Sequence, residues 1–193
     1  MPRLKEFDQK EALRKAMNLF WNRGYHATSM QDLVDTLGIS RGSLYDTFGG
    51  KRELFDRALQ QYRDFYFAQM EALLRSCPSA IDGLRQLFEG TLENAMRDPE
   101  HKGCFMVNAT TELAASDDTI RTAMVENKRA VESLFLKTLK KGQETGEIDQ
   151  DKNLRQTASL LFAFYNGFQV LARLQPERRE LHSLVKGAMS ILQ

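Results

Sequence analysis

Two short apolar-periodic segments, "MQDLVDTL" and "RGSLYDTF", separated by the turn Gly38-Ile39-Ser40, constrain the fold of this chain more than any other feature. A helix of about eight residues is marginal alone, because nucleation is costly and few hydrogen bonds follow it. Such a pair has to be held by packing, and its brevity suits the presentation of a surface.

The flanking residues supply that packing. Leu13, Ala16, Met17 and Phe20 recur at three- and four-residue steps, the core-facing stripe of a first helix from about Asp8 to Gly24. Ser29 and Asp32 stand at capping-box spacing ahead of a second helix with Leu33, Val34 and Leu37 on its apolar side. Gly38 can end it in the left-handed conformation. Ile39 anchors the turn, and Ser40 can cap a third helix whose strongly apolar positions are only Leu44 and Phe48. Arg41, Gly42, Ser43, Tyr45 and Thr47 then form a surface of small or hydrogen-bonding groups. Two helices joined by a short glycine turn, the second with a polar outer face, match the helix-turn-helix that enters the DNA major groove; a generic helical hairpin in a bundle is the alternative.

A long fourth helix follows from Gly50 or Lys51, with Leu54, Ala58, Tyr62, Phe65 and Met70 among its apolar positions. Its first amides, beside Lys51 and Arg52, suit a phosphate. Together, Gly24 and "TSMQDLVDTLGISRGSLYDTFGGKRELF" resemble the N-terminal domain of the TetR family of transcriptional regulators, over about the first quarter of the chain. The resemblance implies an all-α protein with a three-helix DNA-binding domain at 1–50, a connecting helix at 51–75 and an effector-binding and dimerisation domain at 76–193. It implies base contacts by Arg41 and Ser43 and backbone contacts by Ser29, Tyr45, Thr47 and Lys51, with Ser40 and Gly42 completing the interface. One departure is the pair Asp46-Thr47, where family members often carry other residues. An acid beside DNA repels phosphate unless it turns away, pairs with a base such as Arg41, or accepts from cytosine N4.

The second half shows helical stripes through Ile81, Leu84, Leu87, Phe88, Leu92 and Met96, and through Ile120, Met124, Val131, Phe135 and Leu139. Two final helices follow. Ala158, Leu161, Phe162, Tyr165, Phe168, Val170 and Leu171 encircle the penultimate one with apolar groups, as expected if one side meets its own core and another a second copy. Ala163 and Gly167 would allow close approach. The family likeness, weaker here, implies a homodimer through the last two helices. Phe88, Cys104, Met106, Asn108, Thr111, Phe135, Phe162, Tyr165 and Asn166 have the make-up of a mostly apolar effector pocket with a few polar groups, though such stripes also serve as plain core.

Within "DPEHKGCFMVNAT", Cys104 stands at an expected helix start behind His101 and Lys102, a setting that favours thiolate; an inert half-buried thiol is the alternative. The stretch resembles a Gly-Cys-apolar segment of some family members, the N-ethylmaleimide reductase repressor subgroup among them, whose cysteine responds to electrophiles or oxidants. A small molecule or an electrophile is thus the expected effector.

Composition excludes other classes. With 27% charged and 42% hydrophobic residues the chain has the balance of a globular protein, and no apolar run approaches the roughly 20 residues that span a bilayer. The charged start is unlike a signal peptide, so a cytoplasmic protein without membrane contact is expected. Formal net charge is +1, so affinity for double-stranded DNA has to come from a local patch. His26, His101 and His182 are scattered, and no metal, cofactor or catalytic spacing is visible. A helical protein-interaction module that binds no DNA is the competing function.

Overall fold

The computed structural model describes residues 7–192. Among them the chain forms α1 (Gln9–Arg23), α2 (Met30–Leu37), α3 (Arg41–Phe48), α4 (Lys51–Ser76), α5 (Ala80–Arg97), α6 (Phe105–Leu113), α7 (Asp118–Glu144), α8 (Leu154–Ala172) and α9 (Arg178–Ser190), with no strand. Contacts divide the chain into two units, one ending at Asp64 and one beginning at Phe65. The division falls inside α4, the segment expected to act as a connector. That helix buries Leu54, Phe55, Ala58, Leu59 and Tyr62 ahead of the division and Met70 and Leu74 beyond it. Phe65, expected among its apolar positions, is instead 56% exposed.

In the first unit the caps are the ones legible in sequence. Asp8 accepts from the amides of Lys10 and Glu11 at the start of α1. The Ser29 hydroxyl accepts from the Asp32 amide, and the Asp32 carboxylate accepts from the Ser29 amide and hydroxyl. Gly38 is left-handed and ends α2. The core is aromatic at its centre: Phe20 meets Phe55 edge-on at 5.2 Å, and Tyr25 meets Phe55 at 5.0 Å. Thr28, fully buried, donates to the Gly24 carbonyl and so leaves no unpaired hydroxyl.

In the second unit α7 packs along α8 and α5 along α9. Leu84, Phe88, Phe135, Leu139, Leu161, Phe168 and Leu181 are all essentially inaccessible and share one core. Two charges from the end of α7 and the loop after it fix the α4–α5 corner. Lys141 Nζ donates to the Cys77 carbonyl at 2.7 Å, and Glu147 accepts from Ser79 Oγ and the Ile81 amide. A cation therefore sits at one helix end and an anion at the next helix start, the signs that the backbone dipoles favour. Among the described residues no helix is long and apolar enough to cross a membrane.

The capping box carries a pH signature. Hydrogen bonds from the Ser29 side chain and backbone, and then Arg23, whose Nη1 lies 2.9 Å from the carboxylate, hold Asp32 below the usual aspartate range. A carboxyl depressed in the native state contributes stability above its unfolded pKa, about 3.9, and loses that contribution as pH falls through the lower native value. Asp32→Ala should therefore lower the urea midpoint at pH 7, and its deficit against the parent should shrink steadily in acid. A deficit independent of pH would assign the effect to helix propensity instead.

Candidate nucleic-acid interface

α3 is held by little of its own surface. Leu44 and Phe48 are buried, while Arg41, Gly42, Tyr45 and Asp46 are exposed. Ser40 caps the helix by accepting from the Ser43 amide at 3.1 Å. At the other end Arg57 Nη1 donates to the Thr47 carbonyl at 3.3 Å, and its guanidinium lies over the Phe48 ring. The next turn needs glycine: Gly50 has φ 151°, and a Cβ there would meet Glu53 Oε2 at 3.1 Å and the Tyr45 ring at 3.4 Å. α4 can thus begin immediately beside α3. Lys51, its first residue, rests over the Tyr25 ring at 4.3 Å.

The expected interface residues separate by what already engages them. Arg41 is exposed and makes no ion pair among the described residues, and Tyr45 is 48% exposed. Thr47 is half-buried at the edge of this face. Ser43, expected to face bases, is half-buried, with its hydroxyl 2.9 Å from that of Ser40. Ser29, expected on the DNA backbone, directs its hydroxyl proton to Asp32 at 2.6 Å. Both serines shape helix starts. The amides at the head of α4 are also not wholly open, since Glu53 folds back over Gly49 and Gly50. Tyr25 and Arg57 were not singled out from sequence; each acts across a gap in the chain that no helical spacing marks.

The expected effector residues of the second unit are only partly brought together. The Tyr165 ring lies 6.0 Å from that of Phe88 and 6.5 Å from that of Phe135. Burial, and after it the Cys104 sulfur, push the Tyr165 phenol up to about 12, against polar contacts from Gln169 and Thr91. Burial and Cys104 raise Tyr66 as well, so this α4 phenol, missed in the sequence, belongs to the same neighbourhood. Met106 is buried and Phe162 packs on the core. Asn166 donates to the Phe162 carbonyl of its own helix. Thr111, expected as a pocket wall, is exposed, and its hydroxyl bonds to α6 backbone.

Cys104 is the N-cap of α6, makes no side-chain cap bond, and is buried; neither cysteine is in a disulfide. Lys102 does not offer it an uncompensated charge, because the ammonium lies 2.8 Å from Glu100 and 3.9 Å from Asp98. Asn108 donates to the Lys102 carbonyl and accepts from Arg173 of the residues just past α8. Gly103 has φ 66°, and a Cβ there would stand 2.8 Å from Arg173 Cγ and 3.1 Å from the Gln169 carbonyl. The glycine before the cysteine is required by this close passage.

Comparisons with known proteins agree with this geometry. Residues 7–58 match the profile of bacterial regulatory proteins of the tetR family, and residues 80–188 match the tetracyclin repressor-like C-terminal domain. The uncharacterised HTH-type transcriptional regulator YezE of Bacillus subtilis is 31% identical over the full length of both chains. The HTH-type transcriptional repressor ComR of Escherichia coli is 31% identical over 89% of this chain and 82% of its own. Among solved structures, a cysteine-mutant form of the TetR family regulator CifR, complexed with 26-bp double-strand operator DNA, superimposes with a TM-score of 0.88. It is 28% identical and covers all of both chains.

Proposed function

We propose, from the premise that this chain belongs to the TetR family of bacterial regulatory proteins, that it represses transcription as a homodimer whose paired α3 helices read a pseudo-palindromic operator. The chain is a DNA-binding transcriptional regulator and not an enzyme; the alternative of a protein-interaction module without DNA binding is set aside. The observation that carries the finer reading is the outward face of α3, polar and uncovered, with Lys51 one short turn away. Arg41 reads a base, Tyr45, Thr47 and Lys51 grip the backbone, and Ser29, Ser40 and Ser43 hold the helix starts in register. A repressor's name on ComR and operator DNA in the CifR complex support the same reading.

The dimer seam is the outer face of α8. Ala158, Leu161 and Phe168 point into the core, whereas Leu160, Val170 and Leu171 are exposed, and Ala163 and Gly167 lie on the exposed side, where a Cβ on Gly167 would meet none of the described residues within 4 Å. Apolar surface of this kind marks an association site. Two copies pair there with α9 beside them, and a helix-turn-helix dimer reads half-sites about 34 Å apart, one turn of DNA. The place of action is the cytoplasm.

Release follows from a small molecule or an electrophile acting in the second unit, at the aromatic interior of Phe88, Phe135, Phe162 and Tyr165, with Met106 and the polar groups of Cys104, Asn108 and Asn166 at its edge. To shift operator affinity tenfold such an effector must favour one arrangement of the dimer by about 1.4 kcal/mol.

Two outcomes test these assignments. Lys51→Ala should weaken binding to all duplexes alike and lower the slope of log affinity against log salt by about one. Arg41→Ala should instead flatten sequence preference at one position of each half-site, a change of roughly 1–3 kcal/mol. Equal loss of specific and non-specific affinity in Arg41→Ala would contradict its base-reading role. For the thiol, timed alkylation by N-ethylmaleimide with mass readout should label Cys104 before Cys77, and Cys104→Ser should bind operator yet resist release by that reagent. The reverse order of labelling would leave a non-covalent ligand as the effector.

A further inference from the structure

On the reading that α3 lies in a major groove, we infer that Asp46 selects a cytosine in each half-site by accepting a hydrogen bond from its N4 amino group. The three fates open to an acid at this position narrow to one. Asp46 is exposed and, among the described residues, has no hydrogen-bond or ion-pair partner. Arg41 does not neutralise it, since among the described residues Arg41 makes no ion pair. Nor does it face sideways. Asp46 stands two residues from both Leu44 and Phe48, which are buried, and at about 100° per residue it points directly away from that pair.

Gly42, one turn earlier, lies on the same outward line. Its backbone is ordinary helix, and an added Cβ would meet only Ser40 Oγ, at 3.8 Å, so the fold itself would accept alanine. Glycine weakens a helix relative to alanine, and among the described residues no contact at Gly42 returns that loss. What its missing side chain permits is a closer approach of α3 to an opposing surface. A short acid needs that approach to reach a base edge.

The groove's own chemistry selects the base. A carboxylate only accepts hydrogen bonds. Guanine presents the acceptors O6 and N7, and thymine presents O4 and a methyl group, so both repel it. Adenine places its N6 amino group beside the N7 acceptor. Cytosine alone presents a donor, N4, with no acceptor of its own next to it.

The full chain, with Asp46→Ala, Asp46→Asn and Gly42→Ala in parallel, is used to select duplexes from a library with randomised half-sites. The parent should enrich cytosine at one position per half-site. Asp46→Ala should lose that preference alone, by roughly 5- to 150-fold, the equivalent of about 1–3 kcal/mol, and should bind random duplex more tightly because a negative charge near phosphate is gone. Asp46→Asn, able to donate as well as accept, should shift the position toward adenine. Gly42→Ala should melt at a higher temperature yet hold the selected duplex less tightly. A base profile unchanged in Asp46→Ala overturns the inference and leaves the proposed function standing. A parent chain that enriches no duplex overturns the proposed function, and this inference with it.

Discussion

Burial of two side chains, Leu44 and Phe48, is the constraint on which the first unit depends. Because α3 enters the core through so narrow a stripe, most of its circumference is left for something outside the chain. The remaining restraint comes from its ends: Ser40 at the start, Arg57 on the Thr47 carbonyl at the finish, and the Gly49-Gly50 turn that brings α4 up beside it. A broader apolar stripe would make a steadier helix and leave less of its surface exposed. The α3 geometry is a compromise between holding the helix and exposing it.

The second unit uses the opposite arrangement. α8 is apolar on both sides, its inner residues Leu161 and Phe168 closed into the core and its outer residues Leu160, Val170 and Leu171 left in solvent. An isolated copy therefore exposes apolar surface, and in the homodimer proposed above a second copy would cover it and tie operator binding to dimer formation. α4 contributes buried residues to both units, Leu54 and Phe55 to the first and Met70 and Leu74 to the second.

Local chemistry was legible and long-range chemistry was not. Asp8, Ser29, Gly38 and Ser40 act within a few residues of themselves, so their spacing alone announces the helix ends. A hydroxyl that caps a helix looks identical in sequence to one that grips phosphate; the bonds of Ser29 to Asp32 and of Ser43 beside Ser40 are visible only in the structure. Tyr25 beneath Lys51, and Arg57 behind Thr47, pair groups on different helices. Asn108 with Arg173 pairs groups 65 residues apart. No periodicity marks any of these. Lys102 stands two residues before Cys104, yet Glu100 and Asp98 compensate its charge, which the order of residues alone does not show.

The central claim is that the outward face of α3 and the head of α4 form the surface that meets DNA. Amide hydrogen exchange of the full chain, with and without a duplex selected from genomic fragments, tests it most directly. Slowed exchange concentrated in peptides spanning residues 40–51 is the predicted result. Binding of the duplex with exchange unchanged there, and slowed in the second unit instead, would contradict the account.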